Sequence, residues 1–352
     1  MRFEFAPYLL KFKEPVGTSR GVMTEKPTFL VKVYDENEPS RFGIGEAAVF
    51  PGLSPEADCG YVMKLTEVLA NVAIGRPTDL TRHSSIQFGL EQALLDYSNG
   101  CKGIYFPSAF TKGTSTIEIN GLVWMGDYDT MLRRVGEKID RGFKCLKLKI
   151  GAIDWQKELA LIRLIRSQHP ESELMIRVDA NGGFSPEDCL EKMDLLARLG
   201  VQSIEQPIKA GNPEVMAHLC RVSPLPIALD EELIGKGTPE ERIETLEEIK
   251  PQYIILKPAL CGGFSGATEW IEEAEKRGIG WWITSALESN VGLNAIAQFT
   301  AHMCAKGPQG LGTGGVFTNN FETPVTLKGD QLGYNPELSY DYSQFSDLKW
   351  HR

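Results

Sequence analysis

The sequence predicts an α/β fold in which a closed barrel of alternating strands and helices follows a smaller α+β domain. Strand and helix patterns alternate regularly from about residue 115 onward. Charged residues at predicted strand ends between 179 and 257 are spaced by 25 to 27 residues, close to the ~30 residues of one βα unit. The length of 352 residues exceeds a barrel of about 250 residues by roughly 100, which leaves room for the second domain.

The first part of the chain, residues 1–112, predicts the α+β domain. Residues 28–34 alternate as in a half-buried strand, and residues 3–9 are expected to pair with them. The polar, glycine-flanked segment 17–21 (Gly-Thr-Ser-Arg-Gly) is, on its own residues, a solvated hairpin connection. Helical spacing follows in residues 57–73 and 85–98.

Residues 113–320 predict the barrel, with eight strands and seven intervening helices. The strands are expected at 116–124, 145–150, 174–179, 202–205, 226–230, 252–257, 280–284 and 310–311. The helices are expected at 129–141, 155–167, 186–199 (with Ser185 as N-cap), 213–222, 239–249, 264–277 and 291–303. A doubly wound open sheet is the rival fold, but no Gly-x-Gly-x-x-Gly follows a strand. Residues 321–352 are expected to pack back on the first domain.

Composition restricts the partners. With 37 Lys+Arg and 47 Asp+Glu, the formal net charge of −10 argues against binding to nucleic acid or to an anionic membrane surface. The 7 cysteines are scattered without a Cys-x-x-Cys pair, which is typical of reduced thiols in the cytoplasm. The chain has no secretory leader pattern and no apolar run of the ~20 residues that a membrane span needs. We therefore expect a cytoplasmic protein that binds neither nucleic acid nor a membrane, and the charged residues at the strand ends point to a small-molecule carboxylate as its substrate.

Charged residues end five successive barrel strands. They lie in the segments Lys147-Leu-Lys149, Asp179-Ala-Asn181, Glu205-Gln-Pro207, Asp230-Glu231 and Lys257-Pro258. One such strand end is best explained by a salt bridge at the barrel mouth. Five in succession favour an active site, because barrel enzymes build their sites at the carboxyl ends of the strands.

Asp179, Glu205 and Asp230 are the candidate metal ligands. Three carboxylates on neighbouring strands would repel one another unless a cation lay between them, and an all-oxygen set suits Mg2+. No histidine occurs at these positions, which disfavours zinc.

Lys147 and Lys149 are two residues apart on one strand, so their side chains face the same way. At about 6.6 Å and an effective dielectric constant of about 20, two ammonium groups repel by about 2.5 kcal/mol. We expect this repulsion, together with a metal ion and Lys257, to lower the pKa of one lysine towards the ~7–8 useful in a general base. The chemistry predicted is removal of a proton next to a carboxylate, with a metal ion stabilising the enediolate.

In order, type and spacing, these strand ends resemble those of the enolase superfamily, within its muconate lactonizing enzyme subgroup. The segments Gly43-Ile-Gly-Glu46-Ala and Gly89 to Asp96 are similar to parts of its capping domain. The resemblance covers nearly the whole chain and implies a (β/α)7β TIM-like barrel with an N-terminal α+β capping domain. It also implies that segment 17–21, with Thr18, Ser19 and Arg20, closes over the substrate.

Within the subgroup the chain is most similar to the dehydratases of menaquinone biosynthesis. That similarity implies Mg2+, with Mn2+ able to substitute, on Asp179, Glu205 and Asp230. It implies that Lys149 removes the α-proton and returns it to the departing hydroxyl, that Lys257 stabilises the enediolate from the opposite side, and that Lys147 tunes Lys149. The remaining substrate-binding candidates are Asn181, Ser285, Leu287, Glu288 and Ser289.

Other reactions of the subgroup stay open. N-succinylamino acid racemases use the same two lysines, and muconate cycloisomerase is a further alternative. A dipeptide epimerase is disfavoured because Gly312-Thr313-Gly314 stands where those enzymes carry Asp-x-Asp. A non-catalytic binding barrel would lack a base or a ligand, and none is missing. A homo-oligomer is compatible with the sequence.

Overall fold

The computed structural model describes residues 1–18, 21–151, 154–338 and 340–352. The chain begins with an antiparallel sheet of three strands, which are β1 (Arg2–Thr18), β2 (Gly21–Tyr34) and β3 (Phe42–Ala47), in that order. Strands β1 and β2 form one long hairpin with a register shift between Lys11 and Val16. The hairpin extends well beyond the predicted segments 3–9 and 28–34.

Two helices, α1 (Tyr61–Ala73) and α2 (Ser84–Ser98), pack against this sheet through a shared apolar core. Glycines allow α2 to lie directly on β3. A Cβ atom added at Gly45 would lie 2.1 Å from the carbonyl oxygen of Gly89, and one at Gly43 would lie 2.2 Å from that of Ala93. The Gly-Ile-Gly pattern is therefore explained by a close approach of backbones.

The barrel wall is a parallel sheet of seven strands whose neighbours follow one another in chain order. After the short strand β4 (Ile117–Glu118), these are β5 (Gly121–Val123), β6 (Cys145–Lys149), β7 (Met175–Asp179), β8 (Ser203–Glu205), β9 (Ile227–Leu229), β10 (Tyr253–Leu256) and β11 (Gly280–Ile283). The predicted strand 116–124 is thus divided, because its first part leaves the barrel to pair with a C-terminal hairpin.

Residues 309 and 310 close the barrel. Gln309 forms a bridge with Ile119, and Gly310 forms one with Thr284. The amide of Asn120 donates to the carbonyl of Gln309 at 2.9 Å, and the amide of Ser285 donates to that of Gly310 at 3.0 Å. These bonds make the eighth strand, predicted one residue later, and confirm the barrel.

Helices cover the outside of the barrel. They are α3 (Tyr128–Asp140), α4 (Trp155–Gln168), α5 (Cys189–Arg198), α6 (Pro213–Val222), α7 (Pro239–Ile249), α8 (Gly263–Lys276) and α9 (Asn290–His302), with a 3-10 turn at Glu231–Leu233. The predicted cap of α5 is wrong. The helix begins after Asp188, while the Ser185 hydroxyl bonds the Asp188 side chain in the preceding turn.

The C-terminal residues return to both parts of the molecule. Strands β12 (Val325–Lys328) and β13 (Gln331–Tyr334) form a hairpin that pairs with β4. Phe345, in a 3-10 turn at Tyr342–Phe345, packs with Leu30 and Ile44 of the first sheet. The division of the chain at residues 112 and 320 stays a prediction. Within the described ranges, no helix combines the length and apolarity needed to cross a membrane.

Candidate active site

The parallel register brings the predicted lysines and carboxylates to one end of the barrel. Lys149 lies opposite Asp179, which lies opposite Glu205. Asp230 and Lys257 are the residues that follow β9 and β10. We call the six residues Lys147, Lys149, Asp179, Glu205, Asp230 and Lys257 the mouth cluster.

Direct ion pairs link the mouth cluster. The ammonium groups of Lys147 and Lys149 lie 3.0 Å and 2.5 Å from Asp179 Oδ2. Lys147 also pairs with Glu205, and Lys257 pairs with Asp230. Each lysine therefore contacts a carboxylate predicted to bind metal.

These contacts act on the pKa of Lys147 in the direction opposite to the repulsion between the two lysines. Burial alone would lower the pKa of this lysine, but the negative charges of Asp179 and Glu205 outweigh burial and raise it above its ordinary value. The prediction considered the repulsion between two lysines and left out the carboxylates that each lysine faces.

The carboxylates differ in how far cations and hydrogen-bond donors offset their burial. Burial works against ionisation of Asp179, but Lys147 and Lys149 hold its pKa well below the usual range. Burial and the charge of Asp179 raise the pKa of Glu205, whose Oε1 is buried without a hydrogen-bond partner. An orphaned carboxylate oxygen beside two further carboxylates fits a hard cation.

The carboxylates are not drawn together into a ready coordination shell. Within the described ranges, no three acidic, histidine or cysteine side chains are close enough to hold an ion as they stand. The ion pairs with lysine explain this, because Lys149 and Lys257 hold Asp179 and Asp230 towards themselves. The carboxylate oxygens that do not contact lysine, such as Glu205 Oε1, are left to hold a cation.

Asn181 lies beside the mouth cluster and faces the cavity above it. It adopts a left-handed backbone conformation with φ of 44°. Its side-chain oxygen accepts a hydrogen bond from Lys149 Nζ at 2.7 Å, and its amide donates to Glu231 Oε1 at 3.0 Å. Asn181 therefore orients Lys149 as well as lining the space predicted for substrate.

The cavity and its open mouth together contain about 670 Å³ of space between protein atoms. Lys147, Lys149 and Lys257 line it. Residues that the sequence analysis did not select also line it, namely Phe50, Leu53, Asn120, Leu122, Trp124, Thr284, Ala286, Gly310, Gly312 and Thr313. Trp124 and Thr313 follow the first and eighth barrel strands. A search of all strand ends, and not only of those with charged residues, would therefore have found them in the sequence.

The predicted substrate segment 285–289 divides into two parts. Ser285 and Leu287 line the cavity. Glu288 and Ser289 are fully buried and are absent from its wall. Ser289 caps α9 by accepting a hydrogen bond from the amide of Val291, and its own hydroxyl donates to Glu46 Oε2 at 2.5 Å. Glu288 and Ser289 therefore lie behind the cavity wall and not in it, in contrast to the predicted contact with substrate.

The predicted cap loop is described in part. A Cβ atom added at Gly17 would lie 3.6 Å from Cβ of Met125, in the segment after the first barrel strand, so this end of the hairpin comes close to the barrel. Thr18 pairs through its backbone with Gly21. Ser19 and Arg20 lie outside the described residues, and their contact with substrate stays a prediction.

Comparison with known proteins assigns the family. A family model described as enolase C-terminal domain-like matches residues 130–322. The chain is 44% identical to an o-succinylbenzoate synthase of Desulfotalea psychrophila over 92% of this chain and 96% of that protein. The crystal structure of MenC from Desulfotalea psychrophila has a TM-score of 0.84 and 40% identity, and the match covers 95% of this chain and 99% of that chain.

A more distant solved structure shares the fold. The substrate-liganded L-Ala-D/L-Glu epimerase of Bacillus subtilis has a TM-score of 0.80 at 21% identity, with 97% of this chain and 96% of that chain covered. The barrel, the first domain and the order of the strand-end residues agree with the family assignment. The chain belongs to the enolase superfamily.

Proposed function

We propose that the chain is an o-succinylbenzoate synthase, a hydro-lyase of menaquinone biosynthesis. It dehydrates 2-succinyl-6-hydroxy-2,4-cyclohexadiene-1-carboxylate to o-succinylbenzoate through an enediolate. The relative of that name, 44% identical over 92% of the chain, supports this substrate. The geometric observation that carries the reaction class is that Lys149 and Lys257, from strands four apart in an eight-stranded barrel, line one cavity.

Membership of the superfamily implies a divalent metal ion, and we propose Mg2+. Asp179, Glu205 and Asp230 would hold it, and the unpartnered Glu205 Oε1 supports that assignment. When bound, the ion supplies positive charge that stabilises the second negative charge of the enediolate.

The chain's own residues carry the proton. Neutral Lys149 removes the hydrogen on the carbon next to the substrate carboxylate, and the electron pair of that C–H bond moves into the carboxylate to form the enediolate. The electrons then return to form the ring double bond as the C–O bond to the hydroxyl breaks. Lys149, now an ammonium, gives its proton to the departing hydroxyl, which leaves as water. The same lysine serves both steps, so the elimination is syn.

The other two lysines, Lys257 and Lys147, stabilise the charge of the enediolate and set the charge around Lys149. Lys257 approaches from the opposite wall and stabilises the enediolate as a cation. Lys147, in contact with Asp179 and Glu205, sets the charge around Lys149. A small-molecule carboxylate is therefore the proposed partner.

Racemisation of N-succinylamino acids is a second candidate. Lysines on opposite walls of one cavity suit proton removal on one face and return on the other. A N-succinyl-L-Arg/Lys racemase of Bacillus cereus is 24% identical over 81% of this chain and 79% of that protein.

The test is to incubate the purified protein and Mg2+ with the cyclohexadiene carboxylate and to follow formation of the aromatic product by absorbance. N-succinylamino acids of one configuration are incubated in parallel, with optical rotation as the readout. We expect rapid aromatisation that stops when EDTA removes the metal and resumes when Mg2+ is added. Racemisation without aromatisation would reject the synthase in favour of the racemase.

A further inference from the structure

A chain of hydroxyl groups runs from the cavity wall into the protein interior. The Thr313 hydroxyl donates to Ser285 Oγ at 2.8 Å, and the Ser285 hydroxyl donates to Glu288 Oε2 at 2.6 Å. Thr313 and Ser285 line the cavity, whereas Glu288 is fully buried behind them. We call these three residues the hydroxyl relay.

Two backbone amides set the direction of the relay. The amide of Ala286 donates to Glu288 Oε2 at 2.8 Å, so the ionised Glu288 accepts from this amide and from the Ser285 hydroxyl at one oxygen. The amide of Leu287 donates to Ser285 Oγ at 3.0 Å. The serine proton therefore goes to Glu288, and Thr313 has to be the donor in its contact with Ser285.

Because the Thr313 hydroxyl donates its proton to Ser285, it can accept a hydrogen bond from a molecule in the cavity but cannot donate one. Among the residues that the structure describes, none donates to Thr313 Oγ1, although this residue is only 5% exposed. Thr284, on the same wall, also presents only a hydrogen-bond acceptor to the cavity, because its hydroxyl donates to the carbonyl of Gly310 at 2.9 Å. The wall from the last two strands is thus a hydrogen-bond acceptor, facing lysines that are donors.

The inner end of the relay is held between the two domains. Glu288 shares its surroundings with Lys26 and Glu46, both buried residues of the first sheet. Glu46 accepts hydrogen bonds from Thr28 Oγ1 at 2.8 Å and from the amides of Ser289 and Gly292 at 2.9 Å. We call Lys26, Glu46, Glu288 and Ser289 the seam cluster. Its hydrogen bonds attach the segment that follows Ser285 to the first sheet.

We propose that Thr313 is a specificity-determining residue that accepts a hydrogen bond from the hydroxyl group of the substrate, with Ser285 and Glu288 as its positioning residues. The inference rests on the proposed function. The dehydration substrate has one hydroxyl and otherwise carries carboxylates and a ketone, which only accept. An acceptor wall favours that hydroxyl over the carboxylates, and the hydroxyl oxygen keeps the lone pairs that accept the proton of Lys149.

The product lacks the hydroxyl, and this provides the test. For Thr313→Val we expect kcat/KM to fall by about 10- to 100-fold, since a buried donor of the substrate loses its partner. The inhibition constant of added o-succinylbenzoate should stay within about twofold of its original value. Thr313→Ser should restore most of kcat/KM. Equal weakening of substrate and product, or no loss with Thr313→Val, overturns the inference.

Glu288 supplies a second pair of variants. Glu288→Ala frees the Ser285 proton and should reduce kcat/KM in the same substrate-selective way, by a smaller factor of about 5. Glu288→Gln keeps an acceptor oxygen and should retain near-normal kcat/KM. If both variants behave alike, the relay does not position Thr313.

The control is Thr300→Val, since this buried hydroxyl donates to Ile296 within α9, away from the cavity. It should leave kcat/KM unchanged. Product formation by the unmodified enzyme tests the proposed function by itself, before any variant is compared, so a failure there is distinct from a failure of the relay.

Discussion

Two groups of buried charges in this molecule are built in opposite ways. In the mouth cluster, the carboxylates meet lysine side chains, and Glu205 Oε1 has no hydrogen-bond partner. In the seam cluster, Glu46 is surrounded by fixed donors, including two amides at the start of α9. Helix N-terminal amides are a natural anion site. Fixed donors make a carboxylate structural, whereas movable cations leave it ready to exchange partners.

Lys26 shows the same distinction from the cationic side. Its ammonium is buried without a hydrogen-bond partner and lies 5.7 Å from the ring centre of Phe50. Burial lowers its pKa, and the charges of Glu46 and Glu288 offset only part of that effect. In the mouth cluster, the carboxylates outweigh burial for Lys147. The surroundings of Lys26 therefore stabilise its charged form only weakly, whereas those of Lys147 stabilise its charged form strongly.

The largest expected effect is loss of catalysis in the mouth cluster. Lys149→Ala removes the proposed base and should reduce kcat by about 10³- to 10⁴-fold, the upper range for a general acid–base group. Its thermal midpoint should also fall, because Asp179 loses a buried ion pair. Steady-state kinetics and thermal unfolding measure both. Lys157→Ala, at an exposed position on α4, is the control. Full turnover by Lys149→Ala would eliminate this lysine as the base.

The second prediction compares the two clusters directly by denaturant unfolding of metal-free protein. Glu46→Gln should lower the free energy of unfolding by about 3 kcal/mol, because an amide NH2 would face some of its donors. Glu205→Gln should leave the free energy unchanged or raise it, since burial and Asp179 disfavour this carboxylate. The opposite ranking would show that the distinction between fixed donors and cations is wrong.

Asp96 tests whether fixed donors always overcome burial. It accepts from the amides of Ile44 and Gly103 and from Tyr342, yet burial raises its pKa from 3.8 to about 6. A raised carboxyl pKa means that the folded state holds the proton more tightly, so stability falls as pH rises between those values. The free-energy advantage of the unmodified protein over Asp96→Asn should shrink by about 2 kcal/mol from pH 4 to pH 7. Unfolding at several pH values measures this, and a constant or growing difference would contradict it.

The smallest effect is expected at Glu241, a partly exposed carboxylate at the start of α7. Its bond with Arg82 of the first domain lowers its pKa from 4.5 to about 2, despite a small opposing effect of burial. It also accepts from the amides of Gly237 and Thr238. Because the pKa is lowered, this stability is present above pH 4.5 and is lost as pH falls through about 2.

Glu241→Gln should therefore reduce the free energy of unfolding by about 1 kcal/mol at pH 7, a value typical of a helix cap, and by less in acid. Glu240→Gln, at the neighbouring exposed position, is the matched control and should have no effect. A loss that persists unchanged at pH 2 would indicate that packing, and not charge, accounts for the contribution of Glu241.

Much of the architecture could be predicted because it depends on local pattern. The alternation of apolar strands and amphipathic helices identifies the barrel, and the charged strand ends identify its active end. The cap of α5 was misplaced because serine and aspartate both suit that position, and the choice between them is made by the turn at 185–188. The strand 116–124 was not recognised as divided because its partner β13 lies about 200 residues away.

The sequence by itself determined which residues reach the mouth, since a parallel barrel brings successive strand ends to one rim. It did not determine what those residues contact there. The lysine pKa was predicted from the distance between two lysines, whereas the carboxylates of three other strands decide its direction for Lys147. Likewise, only the tertiary structure shows that Ser285 lines the cavity and Glu288 lies behind it. Their burial and the hydroxyl relay to Thr313 depend on packing between segments far apart in the chain.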